Sequence, residues 1–341
     1  VAVVQAQVVA LGLSASPYIK ALSWSSSGFG TAYSNPASLP VDRSRQVRFS
    51  PANDVLAGIG SGTPPEVTAY PWSSVTGFGT RYSNPVGLPV SGEGISLEFS
   101  PAGTDIALGI EASPYILVYP WSSGSGFGTK YSNPATLPTN FGFKNAIAFR
   151  NTAIVISSYQ GATTKIIGYP WTTGVGFGTK YADPVSPAGG DTDRGTKFGS
   201  LGTSVIRARQ GSLYQDSYAF NAVTGFGTRY SDPATAMTTN PNAIAVNTAG
   251  NVVAFGQSSN VAAYPWSPGY GTKFANPSPT PSSAVDAAAF NSLDDAIAVA
   301  GFRSGTQVHA YAWNNVTGFG TKFSDPSPSF LGNGVAVTFT N

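Results

Sequence analysis

The sequence predicts an all-β protein built from seven similar units, each of four short antiparallel strands. Three observations predict it. The triplet GFG recurs at 28–30, 77–79, 126–128, 176–178, 225–227 and 318–320, with GYG at 269–271, so successive copies stand 49, 49, 50, 49, 44 and 49 residues apart. Within a unit, runs rich in Val, Ile, Tyr and Phe are separated by Pro, Gly, Asn and Asp, the pattern of strands and turns and not of helices. The composition agrees: 40 Gly, 26 Pro and 12% aromatic residues among 341, with only 10% charged, suit many short strands joined by turns.

Residues 46–83 display one unit: QVRFS, the turn PAND, VLAGIG, the loop SGTPPE, VTAYPW and, past Gly77, FGTRYS. Four strands repeated at a 40 to 50 residue period describe the blade of a β-propeller. The N-terminal unit has VVALGL, YIKALSW and FGTAYS but no first strand, and the C-terminal GVAVTFTN supplies one. The expected architecture is therefore a seven-bladed ring closed by the C-terminal strand, which removes open sheet edges. It forms a single domain over 1–341, with blades at about 335–341 plus 8–40, 45–89, 94–138, 144–187, 195–236, 242–280 and 285–328. The apolar start VAVVQAQVVALGL has no cationic segment before it and reads as strand, not as a signal peptide.

The turn at Phe49–Asn53 and Phe99–Gly103 and the aromatic that ends each third strand resemble the WD40-type propeller repeat. No Asp follows any of these tryptophans and the GH signature is absent, so the tetrad of hydrogen bonds typical of such blades is not expected here. The variant YPW…GFGTKYSNP also looks like repeats of tailed-phage virion proteins. That resemblance implies a virion-surface or other extracellular location.

The repeated positions are read first as architecture. Trp24, Trp72, Trp121, Trp171, Phe220, Trp266 and Trp313 share one place in the unit; rings between neighbouring blades are preferred to a sugar platform, because a ligand needs a few placed groups and not one per blade. Arg81, Lys130, Lys180, Arg229, Lys273 and Lys322 follow GT, with Ala32 the exception. They fall on the outermost strand, where a cation deters another chain from pairing, an anion-binding belt being the alternative. The Asn-Pro or Asp-Pro that follows ends the strand.

Function is then expected where units differ. The loops between second and third strands vary from unit to unit, so their face is the candidate for ligand or partner contact. The fifth blade deviates most: Asp191, Asp193 and Arg194 precede Arg207, Arg209 and Asp216, either a polar recognition site or a structural pairing of charges.

Catalytic inventory is thin. His309 is the only histidine and there is no cysteine, which excludes thiol chemistry and the usual zinc sites. Asp294 and Asp295 lie in a turn, Asp191 and Asp193 lack the rest of a calcium loop, and no acid is repeated toward the central channel, as a glycosidase would need. Asn315-Val316-Thr317 is a lone glycosylation sequon.

A net charge of +2, thinly spread, does not make a nucleic-acid surface, and no run is long and apolar enough to span a membrane as a helix. The expectation is a non-enzymatic scaffold or protein-interaction module on the exterior of a virion or other extracellular assembly, without cofactor or metal. Its partners would be other proteins, with surface glycans in a lectin alternative that uses loops and aromatic pockets between blades.

Overall fold

The computed structural model describes residues 7–341 apart from 63, 140–145, 159–164, 186–192, 200–201, 212–213, 302–307, 328 and 330–331. It is a seven-bladed β-propeller. Each sheet runs first strand to fourth in chain order, and the first strands of successive blades touch one another all the way around, from Ser44–Phe49 to Gly334–Phe339 and back. The ring is closed within one sheet: Gly334–Phe339 pairs antiparallel with Gln7–Leu13, with Val9 opposite Phe339 and Leu11 opposite Val337.

Fourth strands are where sequence and structure part. FGTRYS reads as a full strand, but only Gly77–Phe78 pairs in the second blade, as do Gly126–Phe127 and Gly176–Phe177 in the third and fourth. The sixth blade keeps a single bridge, Trp266 to Tyr270. In these four blades a proline (Pro71, Pro120, Pro170, Pro265) precedes the tryptophan; the first, fifth and seventh have Ser23, Ala219 and Ala312 there and keep five-residue fourth strands. Proline has no N–H for the ladder, so the outer strand loosens just beyond it.

The seven repeated aromatics are all buried, and each sits at the crossing of two blades. Trp72 meets Phe49 and Phe78 of its own blade edge-on, with centroids 5.5 and 5.0 Å away, and Tyr33 of the preceding blade at 4.9 Å. The same arrangement recurs around Trp24, where Phe323 of the seventh blade is the partner across the ring closure. Such edge-on pairs add about 0.5–1.5 kcal/mol each beyond the area they bury.

This packing also explains the triplet. Gly77 and Gly225 both have φ near +80° (80 and 84), and a Cβ on them would stand 3.2 Å from Tyr33 and 2.7 Å from Tyr181 of the preceding blade. A left-handed turn pressed against a neighbouring ring leaves room only for glycine.

Candidate functional site

The strands run from one face of the disc to the other. Turns joining first to second strands and third to fourth strands share one face; the variable loops lie on the other, and much of that face (159–164, 212–213 and 302–307) is outside the described residues.

One position near the end of the first strands borders the channel in six of the seven blades. Going round from the second blade the position holds Arg48, Glu98, Ala148, Lys197, Ala245, Ala289 and, in the first blade, Thr338, equivalent by the registers Arg48 to Ala57, Glu98 to Ala107, Ala245 to Ala254 and Ala289 to Ala298; all but Ala148, which packs in the core, line the channel space. Three of these seven are charged, and they converge. Lys197 Nζ donates to Glu98 Oε2 at 2.7 Å, and Arg48 Nε donates to the same oxygen at 3.2 Å. Glu98 and Lys197 belong to the third and fifth blades, so their bond passes over the fourth, whose equivalent residue is Ala148.

The cluster borders a cavity of ≈ 400 Å³ whose other walls are Ile244–Gly250, Ala288–Phe290, Thr338 and Asn341. Since the turn residues 247–250 line it, it lies toward the face of the tight turns, opposite the variable loops. Side-chain exposures of 15, 19 and 21% for Arg48, Glu98 and Lys197 leave all three in contact with the space they surround. Burial alone would raise the Glu98 carboxyl, but the Lys197 and Arg48 cations outweigh it and hold it below the usual carboxylate range. Burial pushes the Lys197 ammonium down; Arg48 pushes the same way and Glu98 opposes it.

The expectation that no acid is aimed at the channel is thus corrected by Glu98. Its signal was present in the sequence. Superposing the units at the penultimate first-strand residue shows Arg, Glu and Lys among Ala and Thr, but a search for repeated acids passes over a position whose charge changes from blade to blade.

The fifth-blade charges gather elsewhere. Arg207 donates through Nε to Asp216 Oδ1 at 2.7 Å and through Nη2 to Asp216 Oδ2, and its Nη1 lies 3.2 Å from Asp193 Oδ1. Arg209 Nη1 adds a bond of 2.9 Å to Asp216 Oδ2. All four side chains are fully buried. Burial drives the Asp193 carboxyl up to about 7; Arg207 opposes this and Asp216 adds to it. Asp216, with two guanidinium partners, is held below the ordinary range despite its burial. Arg194 is half-buried on a bulge of the first strand and feels the Asp286 carboxylate of the seventh blade. Asp191 lies outside the described residues.

The outer cations clamp the Asx residue that ends each fourth strand. Lys130 reaches Asn133 at 2.7 Å, Arg81 Asn84 at 2.9 Å, Arg229 Asp232, Lys273 Asn276 and Lys322 Asp325 at 2.5 Å, and Lys180 bonds Asp183. In the first blade, where Ala32 breaks the pattern, Lys20 on the adjacent strand takes the place, 2.8 Å from Asn35. His309 bonds Asp325 at 2.9 Å. Asp294 accepts the backbone N–H groups of Thr248 and Ala249 across the blade boundary, and Asp295 accepts from Asn291 Nδ2. Asn315 of the sequon accepts from the Trp313 indole at 2.7 Å. Among the described residues no group of three His, Cys, Asp or Glu is placed to hold a metal ion, and no helix is long and apolar enough to cross a membrane.

No family model and no curated protein matches the chain. Solved structures do. It is similar to a protein of Bacteroides fragilis provisionally named a 6-phosphogluconolactonase (TM-score 0.73, 12% identity, 100% of this chain and 99% of that one). It is also similar to the periplasmic gluconolactonase of Pseudomonas aeruginosa (0.67, 12%, 98% and 99%). A chain of a mitotic checkpoint complex matches less fully (0.62, 13%, 86% and 82%), consistent with a propeller of WD40-like build.

The likeness is one of fold. It nevertheless corrects the expected function: three propellers that match over at least 98% of this chain are named as lactone-acting enzymes, not virion scaffolds or lectins.

Proposed function

We propose that the protein is a hydrolase that opens a small cyclic ester of the sugar-lactone class in its central channel. The observation that carries this reading is one carboxylate, Glu98, flanked by Lys197 and Arg48 from separate blades on the wall of a ≈ 400 Å³ cavity. The full-length likeness to propellers named for lactone hydrolysis supports it. Preorganised cations in a confined site stabilise a developing oxyanion far better than they would in water.

The reaction uses the three groups as follows. Glu98, ionised because its cations hold it so, accepts a proton from a water molecule as the water oxygen bonds to the lactone carbonyl carbon. The carbonyl oxygen becomes an oxyanion facing Lys197 and Arg48. On collapse the ring C–O bond breaks, the leaving alkoxide takes the proton from Glu98, and the hydroxy-acid product is left beside the two cations. An exported location is part of the proposal, since the Pseudomonas neighbour is named periplasmic; fractionation of the source cells tests it.

The decisive experiment titrates the acid released from glucono-1,5-lactone at mildly acid pH, with spontaneous opening subtracted. The wild-type protein is expected to accelerate release, and Glu98→Gln to lower kcat by about 10²–10⁴ with the fold intact by circular dichroism. Release at the buffer rate for lactones with and without a 6-phosphate overturns the reading.

A further inference from the structure

The same channel position that carries the charges also shows why there is a cavity. Arg48, Glu98 and Lys197 occupy it on one arc, the second, third and fifth blades, with Ala148 at the equivalent place in the fourth. On the remaining arc, the sixth, seventh and first blades, it is occupied by Ala245, Ala289 and Thr338, all of them lining the ≈ 400 Å³ space. A long side chain at any of these three would project into that space, as Arg48 and Lys197 project on the other arc. The cavity is therefore two-faced, with the three charges on one side and, on the other, Ala245, Ala289 and Thr338 set among Ile244, Val246, Phe290 and the 247–250 turn.

We infer that Ala245, Ala289 and Thr338 are the specificity wall of the channel, admitting a compact ring whose C–H face lies on the alanines while its oxygens turn toward Arg48, Glu98 and Lys197. This rests on the hydrolytic reading of the same cavity. The wall sets an upper limit on size, because the second and third alanine-bearing blades have no slack behind them: Ala245 and Ala298, the cross-strand partner of Ala289, are packed in the blade cores. The Thr338 hydroxyl bonds weakly to the Phe339 carbonyl at 3.4 Å, so it can turn to a ring hydroxyl with little loss.

Two variants test the wall without touching a charged group. Ala289→Leu is expected to raise KM for glucono-1,5-lactone about tenfold or more, a steric exclusion comparable to a few misplaced methylenes. Ala289→Ser, which keeps the size, should stay within about threefold of wild type. The acid limb of the pH profile, set by Glu98, should be the same in both. If Ala289→Leu fails to fold, Ala245→Leu carries the same expectation at the neighbouring blade.

Unchanged KM in the leucine variants while wild-type hydrolysis is intact overturns the wall and leaves the function standing. A fall in kcat with a shifted pH limb overturns it too, since the substitution would then act through the charged cluster. A wild-type protein with no lactonase activity removes both.

Discussion

Two charge clusters lie on the fifth blade's strands, and they are opposites. Arg207, Arg209, Asp193 and Asp216 are fully buried and bonded to one another within a single sheet. Lys197, on the same first strand as Asp193, instead leaves its blade and meets Glu98 two blades away, with about a fifth of each side chain reaching the cavity. The charges of the first cluster pair with one another in the interior of the sheet, leaving Asp193 Oδ1 without a hydrogen bond, whereas those of the second face open space. Residue type does not separate a structural ion network from a working site, whereas what lies beyond the charges does.

The largest expected effect comes from breaking the closed cluster. Asp216→Ala removes the carboxylate that two buried guanidinium groups share and should cost about 3–5 kcal/mol of stability, read as a lower midpoint in urea unfolding. An unchanged midpoint would mean that solvent reaches the network and would erase the contrast.

A smaller effect concerns pH. The native Asp193 carboxyl binds its proton more tightly than an unfolded one, up to about 7 against 3.8. Stability therefore falls as pH rises from about 4 to about 7 and levels off above. Asp193→Asn should flatten that slope and raise stability above neutral pH by about 1 kcal/mol or more, with thermal melts across the window as the readout. Asp216, depressed in the folded state, contributes the other way: its stabilisation is present above 3.8 and is lost as pH falls through its lower folded value, so the two windows do not overlap. Melts that keep their slope in Asp193→Asn would place the proton elsewhere.

The smallest effect is expected at the open cluster. Glu98→Gln keeps a hydrogen-bond acceptor for Lys197 and Arg48 and removes the charge where solvent can compensate, so stability should change by no more than about 1 kcal/mol. A loss as large as that of Asp216→Ala would make Glu98 a structural residue and sink the contrast from the other side.

Much of the fold was legible because it is written seven times. Spacing of the GFG triplets gave the blade count, and the unpaired GVAVTFTN gave the closure that the Phe339 to Val9 pairing shows. What a repeat conceals is the exception. The length of the fourth strands depends on one residue, Pro71 or its equivalents against Ser23, Ala219 and Ala312, and the sequence displays that difference only once its ladder consequence is sought.

The candidate site was less legible, for a reason of distance. Arg207 and Asp216 are nine residues apart on adjoining strands and invite pairing by eye. Glu98 stands 50 residues from Arg48 and 99 from Lys197, and only the closed ring makes them neighbours. Charges that alternate in sign between units also look like variation and not like a motif.

The closing strand has one more consequence, for the order in which the channel is completed. Gly334–Phe339 both seals the edge of Gln7–Leu13 and brings Thr338 to the channel. While that last strand is still missing, the other blades can stack but the arc stays a letter C, its pocket unwalled on one side. Completion of the channel wall and protection from edge-to-edge association would then arrive in the same event, the docking of six residues at the seam.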